Sequence, residues 1–369
     1  MKILIISNHS YMLYKFRREL IDRLSKENEV VLCMPFVGHE NDFRQMGIRC
    51  VELDINRRGI SPAADLRLIQ FFYRQMVSEK PDLVITYSIK PNIYAGMVCS
   101  ALKIPYCANI QGLGTAFEYS ALAGLVKCLY RISLRKAKVV FFENEGDAEA
   151  LLTYRILPRK KMKVLPGAGV NLESFPLVPY PENEKFSFLY LGRIMREKGV
   201  EELFAAARRL HRETDIPFQL DLVGFYEEDY ESEVSDLVAD GIAVFHGFQH
   251  EPQSFYATAD CLVLPSYHEG MSNVLLEAAA IGRPVITSNI HGCREAVAPE
   301  MSGLLCDARN QDSLYDQMLR MLCFSRDKRR EMGLLAREYV TEKFVKQNVV
   351  AMTVDAIESA MHTSLIKGT

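Results

Sequence analysis

The chain has 369 residues, is 49% hydrophobic and carries a formal net charge of −3. That length exceeds what a single core usually holds, so two domains are expected. No run approaches the roughly 18 uninterrupted apolar residues of a membrane span, and the nine cysteines contain no C-x-x-C pair, which argues against zinc and for buried reduced thiols of a cytosolic protein.

The first apolar run, KILIIS (2–7), is too short for a signal-peptide core and reads as a strand. EVVLCMP (29–35), RCVELD (49–54), DLVITYS (82–88), PYCANI (105–110) and KVVFFEN (138–144) are further short runs rich in β-branched or aromatic residues and bounded by turns. Helical patterns at 16–27, 64–79, 92–102 and 122–136 lie between them, which is the alternation of a parallel sheet covered on both faces. Residues 166–185 hold four prolines and read as a link. The rhythm then restarts: FSFLYLGR, a helix over 198–213, FQLDLVG, a helix from 227, IAVFHGF, a helix near 251–258, CLVLPS, a helix over 272–281, PVITS, and a last strand near 303–306. Helices over 310–323, 326–343 and 346–362 follow.

Charge is divided between these halves. Residues 1–169 hold 25 Lys and Arg against 16 Asp and Glu, a net of +9, and the rest holds 19 against 31, a net of −12. A basic first half points to an anionic partner such as lipid headgroups, phosphates or nucleic acid, or to an accident of surface composition.

The segment HEGMSNVLLEAAAIGRPVI (268–286) carries the most chemistry. Ser272 or Asn273 can cap a helix that closes at Gly282 ahead of Pro284. A helix start at the carboxyl edge of a parallel sheet favours a phosphate. Glu269 sits in the loop before it, where it can accept from sugar hydroxyls, and Glu277 lies further along the helix, in reach of a diol such as a ribose. A solvated loop residue and an exposed helix position are the plain alternatives, but the surroundings of Glu277 are apolar or small, and an unpartnered buried carboxylate is costly. Arg193 and Lys198, in YLGRIMREKGV (190–200), follow another strand and can neutralise a leaving diphosphate. Each taken alone is an ordinary surface charge; together they describe a nucleotide-diphosphate-sugar site.

With GVNLESF (169–175), LGRIMREKGV (191–200), VFHGF (244–248) and LPSYHEGMSNVLLEAAAIGRPVI (264–286), the chain resembles the retaining family-four glycosyltransferases. That resemblance implies the GT-B fold, an α/β architecture of two Rossmann-like doubly wound parallel-sheet domains facing a cleft. It divides the chain into an acceptor domain over 1–168, a nucleotide-sugar domain over 169–345 and a C-terminal helix over 346–369 returning to the first domain. It assigns Arg193 and Lys198 to the donor diphosphate and Glu269 to the transferred sugar. Gly192 and the backbone of Gly270, Met271, Ser272 and Asn273 fall beside sugar and phosphate, Glu277 beside the ribose, and Phe245 and His246 beside the base. It implies no metal and no cofactor beyond the nucleotide-sugar substrate, with UDP favoured, and a front-face attack that retains anomeric configuration.

The first domain departs from the family's pattern. SNHSYMLYKFRREL stands where many relatives have a glycine-rich loop, and TYSIKPNIYAG (86–96) lacks the histidine often found there. His9, Ser10, Lys90, Asn92 and Gln111 are the acceptor-side candidates, with His9 or Lys90 able to cover part of that histidine's role. These segments resemble transferases that extend lipid-linked capsule or O-antigen glycans in bacteria. Lys127, Arg131, Arg135, Lys136 and Lys138, with Leu122, Leu125, Leu129 and Leu134, form an amphipathic stretch that can rest on an anionic bilayer or pack on its own domain. The expected setting is the cytoplasmic face of the inner membrane, without nucleic acid. A GT-B nucleotide-sugar epimerase, a dinucleotide-dependent oxidoreductase (disfavoured by the absent G-x-G-x-x-G) and a non-catalytic sugar-nucleotide binding protein are the alternatives.

Overall fold

The computed structural model describes residues 1–55, 61–113, 117 and 123–365, with side chains through 362. They form two compact units, Met1–Ala168 with Gln347–Thr369, and Gly169–Lys346. The first is built on seven parallel strands: β1 (Lys2–Ile6), β2 (Glu29–Met34), β3 (Arg49–Glu52), β4 (Leu83–Tyr87), β5 (Tyr106–Ile110), β6 (Val139–Phe142) and β7 (Met162–Val164). Their order is β3-β2-β1-β4-β5-β6-β7. The first six are the apolar runs of the sequence. β7 escapes that reading because three residues with a lysine in the middle carry no periodicity.

Successive residues of β1 point to opposite faces, as a strand's period of two requires. Ile3 and Ile5 join Leu13, Leu20 and Phe43 on one face, and Leu4 and Ile6 join Phe72, Val98 and Leu134 on the other. The helix Lys346–Leu365 adds Val349, Val354 and Ile357 to the first of these cores, so the C-terminal helix belongs to the first unit's sheet, as expected. Two short helices, Glu40–Gln45 and Glu145–Thr153, were not anticipated.

The second unit has six parallel strands: β8 (Phe186–Leu191), β9 (Phe218–Val223), β10 (Ala243–Gly247), β11 (Cys261–Leu264), β12 (Val285–Ser288) and β13 (Gly303–Cys306). Their order is β10-β9-β8-β11-β12-β13. In both sheets the strand order reverses once, between β1 and β4 and between β8 and β11. Loops leaving the carboxyl ends of those two strands diverge there, opening the crevice in which doubly wound sheets take ligands.

All nine cysteines are free thiols. Six are buried and Cys50 is partly so, but Cys128 and Cys323 are exposed, which corrects the expectation that every thiol is enclosed. Both sit on the solvent side of amphipathic helices, where a helical pattern alone does not separate a small apolar surface position from a core one. Among the described residues no helix is long and apolar enough to cross a membrane.

Candidate functional site

The second unit's crevice is assembled from two loops, one after β8 and one after β11. Tight backbone approaches pin each of them. Gly199, at φ +72°, lies so close to the Pro265 carbonyl that a Cβ there would stand 2.1 Å from its oxygen. Gly292, at φ +84°, leaves the same kind of gap beneath the second loop, where a Cβ would meet the Glu269 oxygen at 2.4 Å and the Gly270 oxygen at 2.6 Å. Only glycine combines a left-handed φ with such contacts at low cost.

That framework brings Lys198 and Glu269 together. Lys198 Nζ donates to Glu269 Oε1 at 2.5 Å, and Ser266 Oγ donates to the same oxygen at 2.9 Å. The two charged side chains are only 17% and 14% exposed, enough to be reached by a ligand and too little for water to screen the pair fully. The negative charge of Glu269, after burial itself, pushes the Cys293 thiol pKa up. Sequence reading missed Ser266, since a serine ahead of a turn carries no signal of its own.

Arg193 stands on the same β8 loop. It is 39% exposed and Nη1 lies 3.5 Å from Glu227 Oε2, while its carbonyl accepts from Tyr190 OH at 2.6 Å. Gly192 donates its N–H to Val223 O at 3.0 Å, and its own carbonyl nearly touches Gly224, where a Cβ would stand 1.8 Å away.

The helix Asn273–Ile281 starts beside Glu269 and ends at Gly282 in the left-handed region. Met271 and Ser272 are buried, and the Ser272 N–H donates to Gly292 O at 2.8 Å. This corrects the expectation that the Ser272 backbone meets a ligand: the close approach of Gly292 takes that donor. The N–H groups of Asn273 and Val274 remain, lacking intrahelical acceptors as first-turn donors do. Gly270 is buried between Glu269 and this turn.

Glu277 is 6% exposed and accepts from Tyr256 OH at 2.7 Å. Arg283, 1% exposed, holds Tyr256 in turn by donating from Nε to the Tyr256 carbonyl at 3.1 Å and from Nη2 to Ala257 O at 2.8 Å. Burial lowers the Arg283 pKa to about 10, and carbonyl oxygens rather than a carboxylate satisfy the guanidinium. Neither Tyr256 nor Arg283 figured in the sequence reading, because their role depends on contacts across 21 and 27 residues.

At the β10 end, His246 Nε2 lies 2.8 Å from Asp221 Oδ1, and its ring meets Phe255 edge-on at 4.8 Å. The ring is therefore committed to its own sheet face. Phe245 packs against Tyr226 with ring centres 4.9 Å apart. Phe225 and Phe248, 43% and 45% exposed, meet edge-on at 6.0 Å at these strand ends, and the sequence reading gave neither a role.

The first unit's candidates are placed differently. His9 precedes the helix Ser10–Ser25, half-buried, with its N–H donated to Ser7 Oγ at 3.2 Å. Ser10 is fully buried, its Oγ without a hydrogen-bond partner among the described residues. Asn92 is 1% exposed: its Oδ1 accepts from Thr86 Oγ1 at 2.7 Å and its Nδ2 donates to Asn109 O at 2.8 Å. Its amide thus pins β4 to β5, a correction to the expectation that it faces an acceptor. Gln111 Nε2 rests 3.3 Å from Met12 Sδ. Lys90 Nζ donates to Asp65 at 3.0 Å, and both line a pocket of about 720 Å³ with Glu52, Asp54, Arg67 and Arg74.

Of the basic stretch, Leu122 lies outside the described residues. Leu134 is buried and Leu129 partly so, while Leu125 and Ile132 are 50% and 54% exposed. Lys127 sits over the Tyr154 ring at 3.5 Å, and Arg131 donates to Tyr154 O at 2.8 Å, so these two cations hold a neighbouring segment.

Residues 185–323, all within the second unit, match the family described as glycosyl transferases group 1. The chain is 25% identical, over 87% of its length and 89% of the other, to the N,N'-diacetylbacillosaminyl-diphospho-undecaprenol alpha-1,3-N-acetylgalactosaminyltransferase of Campylobacter jejuni. It is 26% identical, over 77% of each chain, to the UDP-Gal:alpha-D-GlcNAc-diphosphoundecaprenol alpha-1,3-galactosyltransferase of Escherichia coli. Its fold is similar to that of a glycosyltransferase from Rickettsia africae, with a TM-score of 0.76 at 17% identity over 98% of both chains. The second unit is thus similar over 185–323 to the group 1 glycosyl transferases, most of the chain is similar to two lipid-linked-glycan glycosyltransferases, and its two doubly wound units have the GT-B fold of the solved glycosyltransferases.

Proposed function

We propose that this chain transfers a hexose or N-acetylhexosamine, with retention, from a UDP-sugar to a hydroxyl of a lipid-diphosphate-linked saccharide in cell-surface glycan synthesis. The observation that carries the reading is the Lys198–Glu269 contact at 2.5 Å, at the point where the second sheet's strand order reverses and beside the start of the helix Asn273–Ile281. A donor diphosphate entering there meets Lys198, Arg193 and two helix N–H groups, which take up the charge that appears as the sugar leaves. Lys198 then exchanges its carboxylate partner for phosphate oxygens, and Glu269 turns to the sugar hydroxyls. Glu277 takes the ribose, and Phe225, Phe245 and Phe248 supply apolar faces near the base. The C1–diphosphate bond breaks, the acceptor oxygen bonds to C1 from the same face, and the acceptor proton passes to the departing phosphate. These groups cover the electrostatic work without a metal ion.

Both relatives' names specify an undecaprenol-diphosphate-linked substrate and an alpha-linked product, and one specifies UDP-Gal. The pocket around Lys90 and Asp65, lined by carboxylates, arginines and Phe71, has the polar and aromatic mixture that suits an acceptor saccharide. A membrane surface is supported by Leu66, Tyr73 and Val77, which are 56%, 51% and 48% exposed on the helix Pro62–Glu79. That helix and Ala123–Leu134, with its exposed Leu125 and Ile132, flank the same intervening helix over 91–102. Exposed apolar residues of this kind on helices of a basic domain suit docking on an anionic membrane leaflet.

The test is turnover of UDP-galactose and UDP-N-acetylgalactosamine with an undecaprenyl-diphosphate saccharide. The expected result is UDP release and an alpha-linked product, at a rate unchanged by EDTA. A beta-linked product overturns retention, a rate abolished by EDTA overturns metal independence, and the absence of turnover with every nucleotide sugar overturns the reading.

A further inference from the structure

The amino ends of β6 and β7 carry a feature that the transfer reaction does not use. A pocket of about 790 Å³ opens there, lined by Lys136, Lys138, Lys160, Lys161 and Lys163 and closed by the terminal helix. It lies at the opposite end of the sheet from the loops that follow β1 and β4. Asp355 is its one acidic lining residue, against five lysines. Among the described residues, Lys136, Lys160, Lys161 and Lys163 pair with no carboxylate. Lys136 donates to Ser100 O at 3.2 Å and Lys161 to Arg135 O at 2.6 Å, contacts that orient the cations without neutralising them. Met352, Ala356 and Ala360, four residues apart in sequence, give the helix a smooth wall opposite the lysines.

Burial, followed by the charges of Lys138 and Lys160, lowers the pKa of Lys161. The cluster therefore repels itself, and an anion seated among the ammonium groups relieves that repulsion. The pocket is within the usual size range for a small ligand, roughly 300–1,000 Å³. Flexible point charges converging on a concavity suit an anion with several phosphate oxygens better than a single carboxylate.

We infer that this pocket at the amino edge of the first sheet is a second anion site, in the first unit and not in the second unit's crevice, which takes a multivalent phosphate. A bound anion draws together lysines that precede β6 and lysines that flank and form β7, so it stabilises the folded unit by mass action. The phosphate can belong to a soluble polyanion or to a lipid headgroup.

The experiment uses the full chain, inorganic tripolyphosphate in calorimetry, and vesicles with and without cardiolipin in sedimentation. Lys160→Gln/Lys161→Gln/Lys163→Gln is compared with the corresponding triple arginine variant. Loss of three charge-assisted contacts is expected to weaken tripolyphosphate binding about tenfold or more, with the arginine variant close to wild type. If tripolyphosphate binding is unchanged and only cardiolipin-vesicle binding falls, the site takes the phosphates of a lipid headgroup and not a soluble polyphosphate. Equal binding by wild type and the glutamine variant in both arms overturns the inference. Should the triple glutamine variant unfold, Lys163→Gln replaces it, and tripolyphosphate must then raise its melting temperature less than that of wild type.

Discussion

The two points of strand reversal have the same topology and are finished differently. Around β8 and β11, side chains cross from loop to loop: Lys198 to Glu269, Ser266 to Glu269, and Tyr267 OH to Glu202 at 2.7 Å. Glycines at 199, 224 and 292 let the backbones touch. Around β1 and β4, one such link stands out, Ser88 Oγ to Asn8 Oδ1 at 2.7 Å, with Ser88 at φ 75°. The polar groups that follow are turned inward, Asn92 onto β5 and Lys90 onto Asp65. A π-helical turn over Pro91–Ala95 interrupts the regular ladder there, a distortion that often marks functional sites. The family match, confined to 185–323, covers only the first of these two crevices. A nucleotide diphosphate asks the same few charges of any chain that binds it, whereas an acceptor saccharide does not, and the proposed division of donor and acceptor between the two crevices accounts for the contrast.

The largest effect should separate the two crevices directly. If Lys198 meets the leaving diphosphate as proposed, Lys198→Ala is expected to lower kcat about 10²–10³-fold, the scale of one preorganised charge-stabilising donor. Lys90→Ala, which leaves Asp65 exposed to pocket water, should cost about tenfold or less, mainly in acceptor KM. Steady-state kinetics with both substrates varied decides this, and a larger kcat loss for Lys90→Ala would reverse the comparison. Next in size is Gly292→Ala. A methyl group placed 2.4 Å from the Glu269 carbonyl at φ +84° must push the loop away, costing on the order of 2–4 kcal/mol in denaturant unfolding. Activity should fall with stability, since the displaced loop carries Glu269. A stable, active Gly292→Ala protein would show that the second crevice is not held by this approach.

Asn92→Ala tests the opposite claim about the first crevice. With both ends of its amide bonded inside the sheet, its loss should cost about 1–3 kcal/mol of stability, and the remaining folded protein should keep its kcat. Strong loss of kcat at unchanged stability would restore Asn92 to the acceptor side.

What could be read from the residues alone follows the same line. Strands such as KILIIS and CLVLPS announce themselves because a buried parallel strand is a continuous apolar run. The helix end at Gly282 follows from capping chemistry, whereas Ser272 occupies the N-cap position without a side-chain cap hydrogen bond. Glu269, Lys198 and Arg193 stand out in the sequence as charges gathered at the ends of apolar strands, and the structure brings Lys198 and Glu269 into contact. Illegible were the partners at long range. Nothing local pairs Arg17 with Glu143, 126 residues away, yet they form a buried ion pair beside Tyr87. Nothing local says that Gly292 takes the Ser272 N–H, or that His246 turns to Asp221, since both depend on how neighbouring loops and strands fall against one another.

A further expected effect concerns one of those hidden partners. Tyr256→Phe removes a 2.7 Å hydrogen bond to a carboxylate that is 6% exposed, with little change in volume. A hydrogen bond to a charged group contributes about 1.5–3 kcal/mol where it is fully buried, and other contacts of Glu277 will hold part of its geometry. If Glu277 grips the ribose, the hydroxyl of Tyr256 fixes the carboxylate at a place remote from the bond being broken. Its loss then weakens ground and transition states alike, so donor KM should rise about five- to twentyfold while kcat changes little. Calorimetric titration of UDP should show the same factor, whereas uridine-free diphosphate should bind both proteins equally. A fall in kcat at constant KM would instead tie Tyr256, through Glu277, to the sugar, and the division of labour between the two glutamates would have to be redrawn.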